Sequence, residues 1–201
     1  MLKEIKCDKF IEPIIEFNNG LNSILGDDIS TNSIGKSTFL MIIDFVFGGN
    51  TFINKNSGSI EHSGDFKFKF KFKFGNDKFY FLRQTANPDI VSICDENYNP
   101  LNEISTKEYT SLLLENYGIA YPQTSFRDIV GLFSRIWGKD NYSVDKPLLS
   151  FSKEADEISI SRIIKLFGLY DKIVETSKKL KDKKDSKKFL IGAIRKNYIP
   201  K

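Results

Sequence analysis

The chain contains few of the residues that build metal centres, disulfide frameworks and membrane spans. Among 201 residues there is one histidine, His62, which excludes a histidine-based metal site or a catalytic triad. The two cysteines, Cys7 and Cys94, are far apart and lack metal-type spacing, which is typical of reduced thiols in the cytoplasm. No apolar run approaches the roughly 20 residues of a membrane span. We therefore expect a cytoplasmic protein that makes no membrane contact.

The composition is typical of a soluble globular protein with one domain. Hydrophobic residues make up 40% of the chain and charged residues 28%, and 201 residues are enough to bury a sizeable core. The first ten residues carry too many charges for a signal peptide. The net charge of +4 permits an acidic partner without requiring one.

The most informative stretch of the chain is residues 24–49, ILGDDISTNSIGKSTFLMIIDFVFGG. At its centre lies the predicted phosphate loop, which we define as Asn32-Ser33-Ile34-Gly35-Lys36-Ser37-Thr38. A short apolar run before it, residues 21–25, predicts a strand. The apolar run after it, residues 39–47, predicts a buried helix that ends at two glycines. A strand, a loop with Gly-Lys-Ser and a buried helix together favour a nucleotide-binding motif.

Each residue type in the predicted phosphate loop suits the chemistry of a nucleotide. The backbone N–H groups of Asn32 to Gly35 form a concavity that favours anions, and Gly35 has no side chain to keep a phosphate away. Lys36 supplies a flexible charge for the β- and γ-phosphates. The Ser37 hydroxyl is placed to hold Mg²⁺, and Thr38 is a candidate contact of the α-phosphate.

The loop departs from the full phosphate-loop pattern, G-x-x-x-x-G-K-[ST], at one position. The first glycine of the pattern falls on Ser30, which adopts a positive φ less readily than glycine does. Gly26, at the end of the predicted strand, is the candidate to make the sharp turn instead. The alternative is a chance Gly-Lys-Ser at a helix start, and the surrounding pattern favours the nucleotide interpretation.

At these residues the chain resembles a known family of ATPases. A strand pair, a long loop ending Asn-Ser-Ile-Gly-Lys-Ser-Thr and a Phe/Ile-rich helix ending Gly-Gly are similar to the heads of SMC/RecF/RecN-like ABC-type ATPases. The similarity is greatest to a bacterial branch in which a split head flanks a coiled coil, some members being the middle component of three-component ABC systems. Further likeness lies in Tyr80-Phe81-Leu82-Arg83, Ser125-Phe126-Arg127 and Leu166-Phe167-Gly168-Leu169-Tyr170.

The resemblance implies a P-loop NTPase fold of the ABC/SMC-head type, which is α/β. A mostly antiparallel N-terminal sheet would surround the phosphate-loop helix, and a helical subdomain would follow. Residues 1–170 would be the N-terminal lobe of the head, and the basic segment 171–201 would begin a coiled-coil arm. The implied ligands are ATP and Mg²⁺. The implied partner is a second head or a C-terminal half needed for hydrolysis, because nothing in the chain corresponds to the second half of such a head.

Two other functions stay open at this point. One is a non-catalytic interaction module in which the loop is structural. The other is a self-contained hydrolase, since the apolar run 90–94 is followed by Asp95 and Glu96, as in a Walker B site that binds Mg²⁺ and polarises water. Against it, the next residues, Asn97-Tyr98-Asn99-Pro100, are typical of a hairpin turn. We therefore assign no catalytic residue.

Residues 65–74 predict the clearest strand, because phenylalanine and lysine alternate along it. Residues 78–83 predict its partner after a Gly-Asn-Asp turn. The phenylalanine face must be buried. We define the lysine face as Lys67, Lys69, Lys71 and Lys73, and it has two interpretations: a solvated face that discourages edge aggregation, or a row of charges facing a DNA backbone. The solvated face is favoured, because charge runs are usually solvated.

The remaining elements are predicted from shorter patterns. Asn18-Asn19-Gly20 predicts a hairpin turn, and the polar segment 49–64 predicts a loop. Ser105 to Glu108 predicts a capping box opening a helix that stops at Gly118, and Ser125 opens another through Trp137. Residues 154–167 predict an amphipathic helix with five residues on its core side: Ile158, Ile160, Ile163, Ile164 and Phe167.

Overall fold

The chain folds around one six-stranded antiparallel sheet in the computed structural model, which describes residues 1–24, 35–196 and 198. The strands in chain order are β1 (Leu2–Lys6), β2 (Ile14–Glu16), β3 (Lys67–Phe74), β4 (Asp77–Gln84), β5 (Ile90–Cys94) and β6 (Pro100–Ser105). Their order in the sheet is β2-β1-β3-β4-β5-β6, and every neighbouring pair is antiparallel. The expectation of an antiparallel N-terminal sheet is therefore confirmed.

Helices occupy most of the remaining described chain. They are α1 (Lys36–Val46), α2 (Thr51–Lys55), α3 (Ser57–Ser63), α4 (Thr106–Asn116), α5 (Phe126–Phe133), α6 (Asp156–Leu166) and α7 (Tyr170–Arg195). The first three lie between β2 and β3 in the sequence, and α4 to α7, which we call the helical half, follow the sheet. The fold class is therefore mixed α/β.

The alternation in β3 places the core on one face of the sheet. Phe68, Phe70 and Phe72 are fully buried, and they share one hydrophobic cluster with residues of α1 and α4. Burying each such ring contributes about 1.5–3 kcal/mol, so the three together outweigh any preference of the lysines between them. The sheet therefore presents its phenylalanine face to α1 and α4 and its lysine face to the other side.

The strand predicted at residues 21–25 is wrong for the part that the structure describes. Leu21 to Ile24 form no strand, and Leu21 is 91% exposed. A strand needs a neighbour with which to exchange backbone hydrogen bonds, and no described residue pairs with this segment. The turn at Asn18 to Gly20 is therefore not a hairpin turn; β1 and β2 are joined through residues 7–13 instead.

The loop predicted at residues 49–64 is also wrong, because this segment forms α2 and α3. Phe52 explains the difference, since it is 1% exposed and its ring lies 5.4 Å from Phe68 and 6.2 Å from Phe45. One buried aromatic residue holds an otherwise polar segment against the sheet. The polar composition misled the prediction, because short helices draw their stability from packing.

Two predictions in the helical half need correction. The helix starting after Ser125 ends at Phe133 rather than at Trp137, because the Asn141 side chain accepts the N–H of Ile136 (3.0 Å) and donates to the carbonyl of Ser134 (2.7 Å). In α6, the predicted core side is only partly buried. Its exposed members are Ile158, Ile160 and Phe167, whereas Ile163 and Ile164 are half-buried. The capping box at Ser105 and Glu108 is confirmed.

The last described helix, α7, has 26 residues and is exposed along nearly all its length. It is charged, as expected, with one buried residue, Ala193. In the part of the chain that the structure describes, no helix combines the length and apolar character that crossing a bilayer requires.

Candidate functional site

The structure describes four of the seven residues of the predicted phosphate loop, and they lie together at the start of α1. Gly35 is the N-cap residue, Lys36 and Ser37 are the first two helical residues, and Thr38 follows. The other three, Asn32, Ser33 and Ile34, lie outside the described residues. The predicted buried helix 39–47 is confirmed as the body of α1, in which Met41, Ile42, Asp44, Phe45 and Val46 are buried.

Gly35 supplies the backbone conformation that the predicted loop requires. Its φ is +75° and its ψ is 16°, a left-handed conformation that costs an ordinary residue free energy. Among the described residues, no atom beyond its chain neighbours lies within 4 Å of the position that a Cβ would take, so the requirement for glycine comes from the backbone, and the described residues leave space beside it. Ser37 is exposed next to this space, and Lys36 is half-buried.

The N-terminus of α1 differs from those of the other long helices. In α4 and α5, Ser105 and Ser125 cap the first turn with their hydroxyls, and each first turn carries a carboxylate. Gly35 has no side chain that could cap α1, and the first turn of α1 has no acidic residue. Among the described helices of eight residues or more, α1 is alone in this. Within residues 35–196, no side-chain cap or first-turn carboxylate therefore competes with an anion for the N–H groups and the positive end of this helix dipole.

The first turn of α1 is held in place by an aromatic contact. The ring of Phe39 stacks on that of Phe17, with the ring centroids 6.2 Å apart and the planes 10° from parallel. Phe17 directly follows β2, and its N–H donates to the carbonyl of Lys3 in β1 (2.8 Å). The sheet therefore supports the start of α1, on the side of the chain that enters the predicted loop.

The C-terminal end of α1 is fixed to the sheet by Arg83 of β4. This fully buried guanidinium donates to the carbonyls of Phe45 (2.5 Å), Gly49 (2.9 Å) and Pro88 (2.6 and 2.8 Å). It also donates to Oδ1 of Asn50 (2.8 Å) and lies 3.9 Å from the centre of the Phe45 ring. Because burial disfavours its charge, the pKa of Arg83 falls to about 10, and the residue stays protonated at neutral pH.

A second set of charges joins the same end of α1 to the helical half. We define the Asp44 cluster as Asp44, Arg127 and Lys139. Arg127, at the start of α5, donates to the carbonyl of Phe47 (2.8 Å) and to Oδ1 of Asp44, and Nζ of Lys139 lies 3.2 Å from the same oxygen. Burial works to raise the pKa of Asp44, but the charges of Arg127 and Lys139 outweigh it, so the pKa lies below its ordinary value. Asp44 is therefore a carboxylate in the interior.

One residue in the sequence indicates this cluster, although hydrophobic periodicity does not. Asp44 is the one charged residue in the apolar run 39–47. A charge in a buried helix requires a partner of opposite sign, and lysine and arginine residues after the sheet were the candidates. Arg127 meets Asp44 and the carbonyl of Phe47 at the end of α1. The cations that pair with Asp44 are distant in the sequence. Local sequence patterns therefore cannot predict them.

The lysine face of β3 is partly neutralised by a buried carboxylate. Glu4 of β1 accepts from Nζ of Lys71 (2.8 Å) and from the hydroxyl of Tyr98 (2.6 Å), and it lies 3.2 Å from Nζ of Lys6. Burial works to raise the pKa of Glu4, but its contacts with Lys71, Tyr98 and Lys6 outweigh this, and its pKa is lowered. Lys71 is therefore paired with a carboxylate of the protein. This pairing favours the solvated-face interpretation over a row of four charges that faces a DNA backbone.

Neutralising the lysine face is expected to leave DNA affinity nearly unchanged at physiological salt. Lys67, Lys69, Lys71 and Lys73 would be changed together to glutamine and the affinity for duplex DNA measured over a salt series. The reason is that Lys71 is paired with Glu4, Lys69 is half-buried, and Lys67 and Lys73 are exposed, solvated side chains. If binding weakens and the salt slope falls by about 0.9 for each lost lysine contact, the face is a DNA platform and this prediction is wrong.

Asp95 and Glu96 lie in the turn between β5 and β6, as the turn composition predicts. The Asp95 carboxylate accepts from the backbone N–H groups of Asn97 (2.9 Å) and Asn99 (2.8 Å) and from the Asn99 side chain (2.9 Å). These hydrogen bonds, with that of the Asn99 side chain first, hold the pKa of Asp95 below its ordinary value. The carboxylate is therefore occupied in shaping its own turn.

Within residues 1–24, 35–196 and 198, no three or more His, Cys, Asp and Glu side chains are grouped so that they could hold a metal ion. No protein-family model, no curated protein and no solved structure matches the chain.

Proposed function

We propose that the chain is the ATP-binding N-terminal half of an SMC-like ATPase head, with the P-loop NTPase fold of that class. The observation that carries the proposal is the start of α1. There a left-handed Gly35, the half-buried Lys36 and the exposed Ser37 precede a first turn without a side-chain cap or an acidic residue. An anion at this point gains N–H donors and a cation, and the first turn of α1 carries no acidic residue.

The residues at this helix start fit a nucleotide with its metal ion. The open space beside Gly35 leaves room for a phosphate against the backbone. Lys36 would reach the β- and γ-phosphates, and the exposed Ser37 hydroxyl would hold Mg²⁺, which neutralises phosphate charge when bound. Asn32 to Ile34 would supply the rest of the backbone cradle. The resemblance to SMC-like ATPases favours ATP over GTP. The chain also has no Asn/Thr-Lys-x-Asp motif, the motif that recognises guanine.

Exposed apolar residues beside α1 support a missing partner for this lobe. Leu21, Ile24 and Leu40 are 91%, 46% and 43% exposed, and all three flank the predicted phosphate loop in the sequence. A further protein segment on this side would bury them and would give residues 21–25 the neighbour that a strand requires. We infer that this segment is a C-terminal half or a second head.

The experiment that tests the proposal is a calorimetric titration of the purified chain with Mg-ATP. A saturable heat that disappears when Mg²⁺ is chelated supports it. No heat at any accessible concentration would overturn it and would favour an interaction module in which the loop is structural.

The chain alone is expected to hydrolyse ATP negligibly. Phosphoryl transfer needs a phosphate cradle, a metal ion and a group that positions water. In the sequence, no apolar strand ending in Asp-Glu follows the helical region, and no Ser-Gly-Gly signature occurs. Asp95 is the available substitute, and its carboxylate is held in its own turn. Steady-state phosphate release should therefore match that of Lys36→Ala. Clear turnover that vanished in Glu96→Gln would instead identify a self-contained hydrolase.

A further inference from the structure

The proposed nucleotide site and the helical half are attached to opposite ends of one helix. α1 has 11 residues and is therefore about 16 Å long. Its first turn carries Lys36 and Ser37, and its last turn carries Asp44. A polyphosphate bound at the first turn would contact one end of α1. Arg127 and Lys139 contact Asp44 at the other end.

The attachment at the far end depends on few groups. Arg127 binds the Phe47 carbonyl and the Asp44 carboxylate, and the rings of Phe47 and Phe126 lie 6.0 Å apart. Lys139 belongs to the loop between α5 and α6, so Asp44 holds both the start of α5 and this loop. A displacement of α1 reaches both segments through one side chain.

The charge balance makes the Asp44 cluster sensitive to such a displacement. Two cations share Oδ1 of one carboxylate whose side chain has no exposed surface. Burial lowers the pKa of Lys139, and the charge of Asp44 works against that shift. Gly49 also lies against the carboxylate, since a Cβ at Gly49 would overlap it. A small rotation of α1 therefore lengthens a buried charge contact.

We propose that the Asp44 cluster transmits occupancy of the predicted phosphate loop to α5 and the 134–155 loop, so that the helical half responds to bound nucleotide. This inference rests on the proposed function. Asp44 and Arg127 are positioning residues in this scheme, because they act through α1 and do not touch the nucleotide. Transmission of this kind requires that bound nucleotide favour one arrangement of the cluster over another.

The chain provides its own reporter for a test. Trp137 is the single tryptophan, is 58% exposed, and lies two residues before Lys139. In the wild type, Trp137 fluorescence should change saturably with Mg-ATP, with the midpoint of the calorimetric titration. In Asp44→Asn, binding heat should remain, and the amplitude of the Trp137 change should fall by about threefold or more.

Glu154→Gln is the matched control. Glu154 is also a carboxylate without exposed side-chain surface, and it pairs with Arg162 and accepts the N–H of Ser150 (2.9 Å), but it does not contact α1. Its Trp137 response should equal that of the wild type. Circular dichroism would check folding. If Asp44→Asn does not fold, Lys139→Met replaces it, since that variant removes one of the two cations at Asp44 and leaves Arg127 in place.

The outcomes separate the inference from the proposed function. Absence of binding heat in the wild type overturns the proposed function and this inference with it. Binding heat without a Trp137 response overturns the inference alone. An equal loss of response in Glu154→Gln and Asp44→Asn also overturns it, because any buried ion pair in the helical half would then have the same effect.

Discussion

Lys36→Ala is expected to remove most of the affinity for Mg-ATP. Lys36 is the one cation in the described first turn of α1, and a charge-assisted contact to a phosphate in a partly desolvated site has no replacement there. Losing it should cost about 2–5 kcal/mol, which weakens binding by about 30-fold or more. Calorimetry with Mg-ATP measures the difference directly.

Lys107→Ala is the control for this measurement. Lys107 also lies near the start of a helix, where it is exposed, but Ser105 and Glu108 already cap that helix. Its replacement should leave ATP binding unchanged. Equal affinity of the wild type and Lys36→Ala would contradict the nucleotide interpretation of the loop, whatever the absolute affinity.

Arg83→Met is expected to have the largest effect on stability. The variant keeps an apolar stem of similar length but leaves the carbonyls of Phe45, Gly49 and Pro88 without their buried donor. The carbonyls of Phe45 and Pro88 keep a second donor, the N–H of Gly48 and the hydroxyl of Thr106, so the cost is that of the lost hydrogen bonds to a buried charge. Each such bond contributes about 1.5–3 kcal/mol, so the free energy of unfolding should fall by more than about 3 kcal/mol. Denaturant unfolding followed by circular dichroism checks this.

Arg135→Met provides the comparison. Arg135 also donates to two backbone carbonyls, those of Leu132 and Ser134, both at 3.2 Å, but it is half-buried and its acceptors lie in its own segment. Its loss should lower the free energy of unfolding by about 1 kcal/mol or less, because Arg135 is half-buried and the Ser134 carbonyl keeps the Asn141 side chain as a donor. If the two variants unfold at the same denaturant concentration, Arg83 does not hold α1 to the sheet as described.

The elements predicted correctly are those whose signal is local and repeated. The alternation along β3 requires a strand with one buried face, and the capping box at Ser105 and Glu108 satisfies backbone donors within one turn of helix. The start of α1 at Gly35 and Lys36 was predictable for the same reason. Residues 32–34 of the predicted loop, and Ser30 and Gly26 before them, stay predictions, because they lie outside the described residues.

The elements predicted wrongly depend on distant partners. The strand at residues 21–25 had the right composition but has no neighbour in the described structure. The segment 49–64 looked like a loop because the effect of Phe52 depends on Phe45 and Phe68 being beside it. The Asp44 cluster joins residues more than 80 positions apart, so neither composition nor periodicity contains it.

The repeat in β3 leaves the pairing of that strand undetermined in one respect. Sliding Lys67–Phe74 by two residues would return every phenylalanine to the core and every lysine to the other face, so alternation alone does not distinguish the two alignments. Residues outside the Phe-Lys repeat must therefore determine which of the two alignments forms. Arg83 lies opposite Phe68 and reaches α1 only from there, and Glu4 lies opposite Lys71. The residues that anchor α1 and neutralise the lysine face thus also select the alignment of the sheet's central strand.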